Sequence, residues 1–310
     1  MTNIIITHRG NPKHLKYVMA QLAETNPDAN IVLMGDESNN KYPFVKHVNL
    51  ADYWDGAAEF GRVYKHMNYT PIDYEVFCYQ RWFCVYEYMK QNNLTDVFSL
   101  DSDVLVYDNL NALHEMLKPY KFGVSMDGKE IENRNPGDWF AGPPLGYFRI
   151  DMLKNLCDFF INTYSNPKYL KLFDEKMAWH KMRGEPYGIC DMTQLFLFTV
   201  ENLKDVFILS TPFVLNGEKT VIDVTILSPG EFVAKDGHKK LVIKNKTVYG
   251  FLSETGEKVR FPLIHFQGYV PVNAKEWIID YYIGKRYRLT RIIEKIKFFI
   301  RKMKRKLRKK

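Results

Sequence analysis

The stretch of this chain best equipped for chemistry is Asp96-Val-Phe-Ser-Leu-Asp-Ser-Asp-Val-Leu-Val-Tyr107, a short apolar run that delivers two carboxylates, Asp101 and Asp103. Side chains two apart on a strand point the same way, so the pair can chelate one cation. Hard cations such as Mg²⁺ and Mn²⁺ take carboxylate oxygens and keep positions open for phosphate, which suits holding a nucleotide diphosphate. The tripeptide alone is a weak signal and better fits a loop whose acids cap the next helix or face water. The flanking hydrophobic runs favour the metal reading: a strand buried on both sides carries its acids to the sheet's mouth, where they repel unless a cation intervenes.

His265, in Leu263-Ile-His-Phe-Gln-Gly268, follows a second short apolar run. A neutral imidazole with two carboxylates is a sound ligand set for Mn²⁺, and Gly268 would let backbone approach a phosphate. A histidine among apolar residues is also a common hydrogen-bonded core residue. Arg81 lies among Phe77, Cys78, Trp82 and Val85; if buried, its permanent charge needs an acid or a phosphate, so an internal ion pair and a diphosphate contact both fit. Thr7 and His8 end the first apolar run and Gly35-Asp36 the second, positions suited to a nucleotide's base and ribose, as is Ser102 between the two acids. Asp191 stands before an apolar helix pattern and could simply cap it, or could orient or deprotonate an acceptor hydroxyl or steady positive charge at a sugar carbon, with Gln194 one turn on. Asp138 and Trp139 are further acceptor-side candidates. There is no Gly-x-Gly-x-x-Gly and no Gly-Lys-Ser/Thr loop, which argues against a dinucleotide oxidoreductase and a Walker-type phosphotransferase.

The elements that must position these groups alternate in the manner of parallel strands joined by crossover helices. Asn3–Thr7 and Ile31–Met34 read as strands. Pro12–Glu24, Ile72–Lys90 and Asn109–Leu117 read as helices, and Phe122–Ser125 as a further strand. Asp127–Pro144 reads as a long functional loop. Leu145–Ile150 resumes a strand, Asp151 caps a helix over Met152–Tyr164, and Met192–Glu201 forms another helix. Between 230 and 262, breaks at Asp236-Gly237, Asn245-Lys246 and Thr255-Gly256 suggest a small antiparallel hairpin addition.

At 310 residues, 46% apolar and 15% aromatic, the chain can bury a substantial core. Its formal charge of +8 hides an uneven distribution. Residues 285–310 hold 14 Lys or Arg against Glu294 alone, so the rest of the chain is slightly acidic. From Leu289, apolar residues recur at three and four (Ile292, Ile293, Ile296, Phe299, Ile300, Met303, Leu307) between cations, the pattern of an amphipathic helix for an anionic membrane surface. No nucleic-acid reader motif accompanies it. The division expected is a catalytic domain over 1–270, with the insertion near 230–262, and a basic segment over 271–310. The four dispersed cysteines read as free thiols in a reducing compartment. With no leader before the first strand and no run near ~20 apolar residues, the expected location is cytoplasmic, peripheral on the inner face of a membrane.

Taken in order, Thr7-His8, Asp36, Phe77-Cys-x-x-Arg-Trp-Phe83, Asp101-x-Asp103, Gly188-Ile-Cys-Asp191 and His265-Phe-Gln-Gly268 resemble bacterial GT-A-fold glycosyltransferases. More loosely, they resemble the family 8 group of glycogenin and lipopolysaccharide galactosyltransferases. The resemblance covers residues 3 to 277 in motif order and approximate spacing. It implies a Rossmann-like, mixed and mostly parallel α/β sheet flanked by helices, with metal ligands Asp101, Asp103 and His265 and a sugar-side acid at Asp191. It also implies Mn²⁺ or Mg²⁺, a UDP-sugar donor, and a glycan or lipid-linked acceptor in envelope polysaccharide or lipopolysaccharide synthesis. Two departures stand out. Lys275 and Trp277 follow the His-x-x-Gly later than in that group, and Asp191 is followed by Met-Thr-Gln194 rather than at once by Gln and Asp. Two rival readings remain open: a sugar nucleotidyltransferase, for which His8-Arg-Gly-Asn-Pro-Lys13 is too short and glycine-poor, and a non-catalytic membrane-docked scaffold.

Overall fold

The computed structural model describes residues 1–126, 134–186, 188–267 and 274–282. Gly268 and the basic segment 285–310 lie outside them, as does most of the first half of the 127–144 stretch. The architecture is α/β. A seven-stranded sheet is built from β1 (Asn3–Thr7), β2 (Asn30–Gly35), β3 (Lys46–Asn49), β4 (Asp96–Leu100), β6 (Phe122–Ser125), β7 (Gly142–Arg149) and β8 (Val206–Ile208). It is flanked by α1 (Leu15–Thr25), α2 (Asp55–Val63), α3 (Ile72–Gln91), α4 (Asn111–Leu117), α5 (Ile150–Thr163), α6 (Pro167–Arg183) and α7 (Asp191–Glu201). β5 (Val104–Val106) continues the chain just after β4.

The strand order is β3-β2-β1-β4-β7-β6-β8. β1, β2, β3 and β4 run parallel, as do β6 and β8, while β7 is antiparallel to both its neighbours. The chain leaves β1 in one direction for β2 and β3, then returns to β4 on the other side. The crevice at the carboxyl ends of β1 and β4 is therefore the topological switch point, where open α/β sheets receive ligands. Ile4, Ile5, Ile6, Val97, Phe98 and Leu100 have no polar alternates because both faces of these strands are covered. One face meets α2, α3, α5, α6 and α7 through Phe60, Tyr79, Trp82 and Phe160. The other meets α1, α4 and a second layer through Val18, Leu113, Phe261 and Phe266.

That second layer corrects and enlarges the expected hairpin. It begins at β9 (Phe213–Leu215) and β10 (Glu218–Thr220), continues through the short hairpin β11 (Ala234–Lys235) and β12 (His238–Lys239), and ends with β13 (Val242–Lys244), β14 (Thr247–Phe251) and β15 (Lys258–Phe261). Five of these strands form one sheet, β13-β14-β15-β10-β9, in which β10 and β15 pair parallel. The expected turns at Asp236-Gly237, Asn245-Lys246 and Gly256 all carry positive φ. Other boundaries also move. α1 starts at Leu15 after a turn at Pro12–His14, and β7 starts at Gly142 inside the expected loop. α5 starts at Ile150, so Asp151 is a first-turn acid 3.7 Å from Arg149 rather than the cap.

Two further pairings close the site. β16 (Leu263–His265) runs antiparallel to β5, setting His265 opposite Val104. The short α8 (Ile278–Tyr281), entered through a 3₁₀ turn at Ala274–Trp277, buries Ala274, Ile278 and Tyr281 beside Phe266. Among the described residues no helix is long and apolar enough to cross a membrane.

Candidate metal centre and its acidic neighbour

β4 ends at Leu100 with its backbone fully committed, and Asp101 opens the turn into β5 with its N–H donated to the Pro144 carbonyl 3.1 Å away. Because β16 pairs with β5, the His265 ring arrives over this turn. Its Nε2 lies 3.3 Å from Asp103 Oδ1 and 3.9 Å from Asp101 Oδ2. Ligand atoms of all three residues fall within 4.8 Å of one another. The second nitrogen is already committed: Nδ1 lies 2.5 Å from the Val224 carbonyl, and the His265 backbone N–H donates to Asp223 Oδ2 at 3.0 Å. A ring whose Nδ1–H is held by a carbonyl presents Nε2 as its ligand atom, the usual outer support of a metal-bound histidine.

The two carboxylates of this cluster are faced by the His265 ring and by a second cation, Lys275. Its Nζ lies 3.3 Å from Asp103 Oδ2. Burial opposes ionisation of Asp103, yet His265 and Lys275 outweigh it and hold the carboxyl well below the usual range. Burial likewise disfavours a charged His265, but Asp103, Asp101 and the Val224 carbonyl raise it to about 9. Two hard carboxylates and one oriented imidazole fit Mn²⁺ or Mg²⁺, and such an ion would take the place of the proton on Nε2.

Arg81 links this cluster to a second one. Its Nη1 pairs with Asp101 Oδ1, its Nη2 lies 3.2 Å from Asp191 Oδ2, and its Nε donates to the Cys78 carbonyl at 3.1 Å. Of the two fates open to this guanidinium, the internal ion pair is the one seen, made with two acids at once. The indole Nε1 of Trp82 also reaches Asp191 Oδ2, at 3.5 Å. Asp191 is the first residue of α7, with Cys190 in the cap position, and its Oδ1 accepts from the Met192 N–H at 2.9 Å. The approach to Asp191 depends on Gly188. A Cβ there would meet the Asn68 side chain at 2.5 Å and its Cα at 2.7 Å, so only glycine lets the segment lie against 67–70. The turn glycine proper is Gly184, at φ +65°, which ends α6. Burial raises the Asp191 carboxyl, against the pull of Arg81.

The remaining candidates separate. Ser102 Oγ and His8 Nδ1 lie 2.7 Å apart at the crevice, and burial, reinforced by His14 and Lys275, lowers His8 to about 4, keeping it neutral. Thr7 is buried at the same mouth, and its hydroxyl has no partner among the described residues. Asp36 is occupied as a cap: it accepts from Gly10 N at 2.6 Å, Ser38 N at 2.9 Å and Ser38 Oγ at 2.5 Å. Gln194 does not face the site. It is fully buried, accepting from Thr163 Oγ1 at 2.8 Å and donating to Tyr79 Oη at 3.0 Å. Helical periodicity puts Gln194 near Asp191 but sends its amide into the core. Trp139 is likewise a core residue, stacked on Phe196, with its carbonyl accepting from Lys176. Two groups escaped sequence reasoning. His14 Nε2 is buried beside His8 without a partner, and Glu75 lies buried next to Asp191.

No protein-family model matches the sequence, and no curated protein does. Several solved structures are similar in chain path. Mouse xyloside xylosyltransferase 1, apo form, is 9% identical over 67% of this chain and 85% of its own, with a TM-score of 0.47. The galactosyltransferase LgtC in complex with donor and acceptor sugar analogs is 13% identical over 71% and 76%, with a TM-score of 0.36. The WbbM bifunctional glycosyltransferase is 13% identical over 94% of this chain and 51% of its own, with a TM-score of 0.46. At these identities and scores, the functional reading rests on the side-chain geometry of the crevice itself.

Proposed function

We propose that this chain is a divalent-metal-dependent glycosyltransferase using a nucleotide-sugar donor, with a UDP-sugar as the class tested first. The observation that carries this reading is the convergence of Asp101, Asp103 and His265 at the switch point of the sheet, with a cationic Lys275 beside them and buried acids across Arg81. Asp101, Asp103 and His265 would hold Mn²⁺ or Mg²⁺. The ion would supply Lewis-acid stabilisation of the leaving diphosphate, where charge accumulates in glycosyl transfer.

The chain's own residues divide the remaining work. Lys275 contributes a second positive charge on the phosphate side. Thr7, with its uncommitted buried hydroxyl, and neutral His8 with Ser102 supply hydrogen bonds at the nucleoside end of the crevice. Arg81 fixes the Asp101 and Asp191 carboxylates relative to each other, so the ion-binding end and the sugar end keep one geometry. Asp191 is the acid suited to orient an acceptor hydroxyl or to face positive charge at the sugar carbon. The basic segment 285–310 supports a place at an anionic membrane surface and an acceptor that is lipid-linked or part of an envelope glycan.

The deciding experiment is a thermal-shift panel of nucleotide sugars with and without Mn²⁺. One donor raising Tm only with metal present, and losing that effect in D103N, is the expected result. A flat panel with every base and metal would discard the reading in favour of a non-catalytic scaffold.

A further inference from the structure

On the far side of Arg81 from the Asp101–Asp103–His265 cluster, Glu75, Cys190 and Asp191 converge from two elements, the first turn of α3 and the start of α7. A carboxylate oxygen of each acid and the Cys190 Sγ lie within 4.8 Å of one another. Glu75 is 97% buried by solvent exposure, and Asp191 96%. Glu75 Oε2 accepts from Thr70 Oγ1 at 2.5 Å, but Oε1 has no hydrogen-bond partner among the described residues although it is shut off from solvent. A buried carboxylate oxygen without a donor is costly and demands an explanation.

The surrounding charge sharpens the question. Arg81 is committed to Asp101 and Asp191 and acts on Glu75 only weakly from a distance; the nearer influences on Glu75 are the Thr70 hydroxyl, Asn68 and the second carboxylate. Glu75 is also pushed up to about 7, by burial first and by Asp191 next, against the weaker pull of Thr70, Asn68 and Arg81. Cys190 is half-buried as a residue, but its thiol lies in the interior, where burial pushes it up to about 11. Its Sγ touches only Thr193 Oγ1, at 3.5 Å, and forms no disulfide. One sulfur with two carboxylate oxygens is a mixed donor set. It suits a borderline-soft divalent ion such as Zn²⁺ better than Mg²⁺ or Mn²⁺, which prefer oxygen alone.

The geometry points to a second metal site, in which Glu75, Cys190 and Asp191 bind a thiophilic divalent cation of the Zn²⁺ class, separate from the hard-cation site across Arg81. Binding exchanges the Cys190 S–H bond for a sulfur–metal bond and releases that proton to solvent, while the two carboxylates donate lone pairs and no group is oxidised or reduced. Water fills the remaining position. Because Asp191 is shared, occupancy would withdraw it from the sugar side and lower transfer. This regulatory corollary rests on the proposed function, whereas the site itself does not.

Co²⁺ titration of the full chain tests the site without any assay of transfer. The expected result is a near-ultraviolet thiolate-to-cobalt charge-transfer band, reversed by Zn²⁺ competition. The band should survive D103N, whose own cluster contains no sulfur, and vanish in C190S. E75Q should weaken Co²⁺ binding by at least about tenfold, the least that losing even an outer partner of a metal ligand costs. A melting curve for C190S matching the parent chain keeps its loss of the band from reflecting misfolding. A titration with no band, or one whose band persists in C190S, overturns the site and leaves Glu75 and Asp191 as a pair of acids sharing a proton. Inhibition by Zn²⁺ that persists in C190S would overturn only the corollary.

Discussion

Two buried charged groups in this protein lie close together and behave in opposite ways. Asp223 and Lys239 form an ion pair at 2.9 Å that is nearly sealed from solvent, and Lys239 Nζ also donates to the Thr225 and Ser228 carbonyls, both at 2.5 Å. Asp223 Oδ2 accepts the His265 N–H, so this pair braces the strand that carries the imidazole. Charge is matched there, one for one. At the crevice, four acids, Asp101, Asp103, Asp191 and Glu75, meet three cations, Arg81, Lys275 and His265, and Glu75 Oε1 has no hydrogen-bond partner among the described residues. Saturated charge marks the part of the molecule that holds shape, and unmatched charge marks the part built to receive something.

That contrast can be broken by mutation. The largest effect should come from K239A, which leaves Asp223 ionised and unpaired in the interior; a loss of about 3–5 kcal/mol in denaturant unfolding is expected. A loss under 1 kcal/mol would remove the structural assignment of the pair. D103N should do the reverse. It should drop transfer by about 10²–10³-fold, the range seen when one preorganised stabiliser of developing charge is removed, while changing metal-free stability far less than K239A does. Parallel kinetics and melts would check this, and equal destabilisation by the two variants would erase the distinction.

Next in size is E75Q, read through pH. The folded carboxyl titrates near 7, above its ordinary value of 4.5. The folded state therefore holds the proton more tightly, so the parent chain loses stability as pH rises from about 4.5 to 7 and stays lower above that. Glutamine carries no such penalty, so E75Q should gain on the order of 2 kcal/mol over the parent at pH 8, and that gain should shrink toward pH 4. Metal-free unfolding series at several pH values would show it, and a pH-independent difference would contradict it. The smallest effect concerns the first metal site. With His265 held to about 9, a metal must displace its proton at neutral pH. Mn²⁺ affinity should therefore rise with pH by up to about tenfold per unit and level off near 9. Calorimetric titration across pH 6.5–9.5 measures that slope, and a flat line would mean that His265 is not a ligand.

The readable part of the sequence was the part with simple periodicity. β1, β2 and β4 are mainly apolar runs, interrupted in β4 by Ser99, because both faces are covered, and α3 and α7 announce themselves by aromatic density. Asp101, Asp103 and His265 were legible because each follows such a run. α6 was not, because its charged residues are scattered among its apolar ones and only Tyr169, Phe173 and Lys176 are buried. β3 and β8 are edge strands, and β3 reads Lys-His-Val-Asn with one apolar residue. Lys275 stands farther from His265 in sequence than the resemblance suggests, yet the turn at Ala274–Trp277 brings its ammonium to Asp103. Glu75 gave no signal at all, since an acid in the first turn of a helix is ordinary there. Only the approach of the 188–191 segment turns it into something else.

The antiparallel match of β5 with β16 has a consequence for biosynthesis. The acids are made about 160 residues before the imidazole, so a ribosome-bound chain halted before Leu263 would carry an incomplete Asp101–Asp103–His265 cluster, however well its first strands had assembled. On the proposed function, an ion bound there would join β5 to β16 as a clasp, and stripping it with a chelator should loosen the β16 side first.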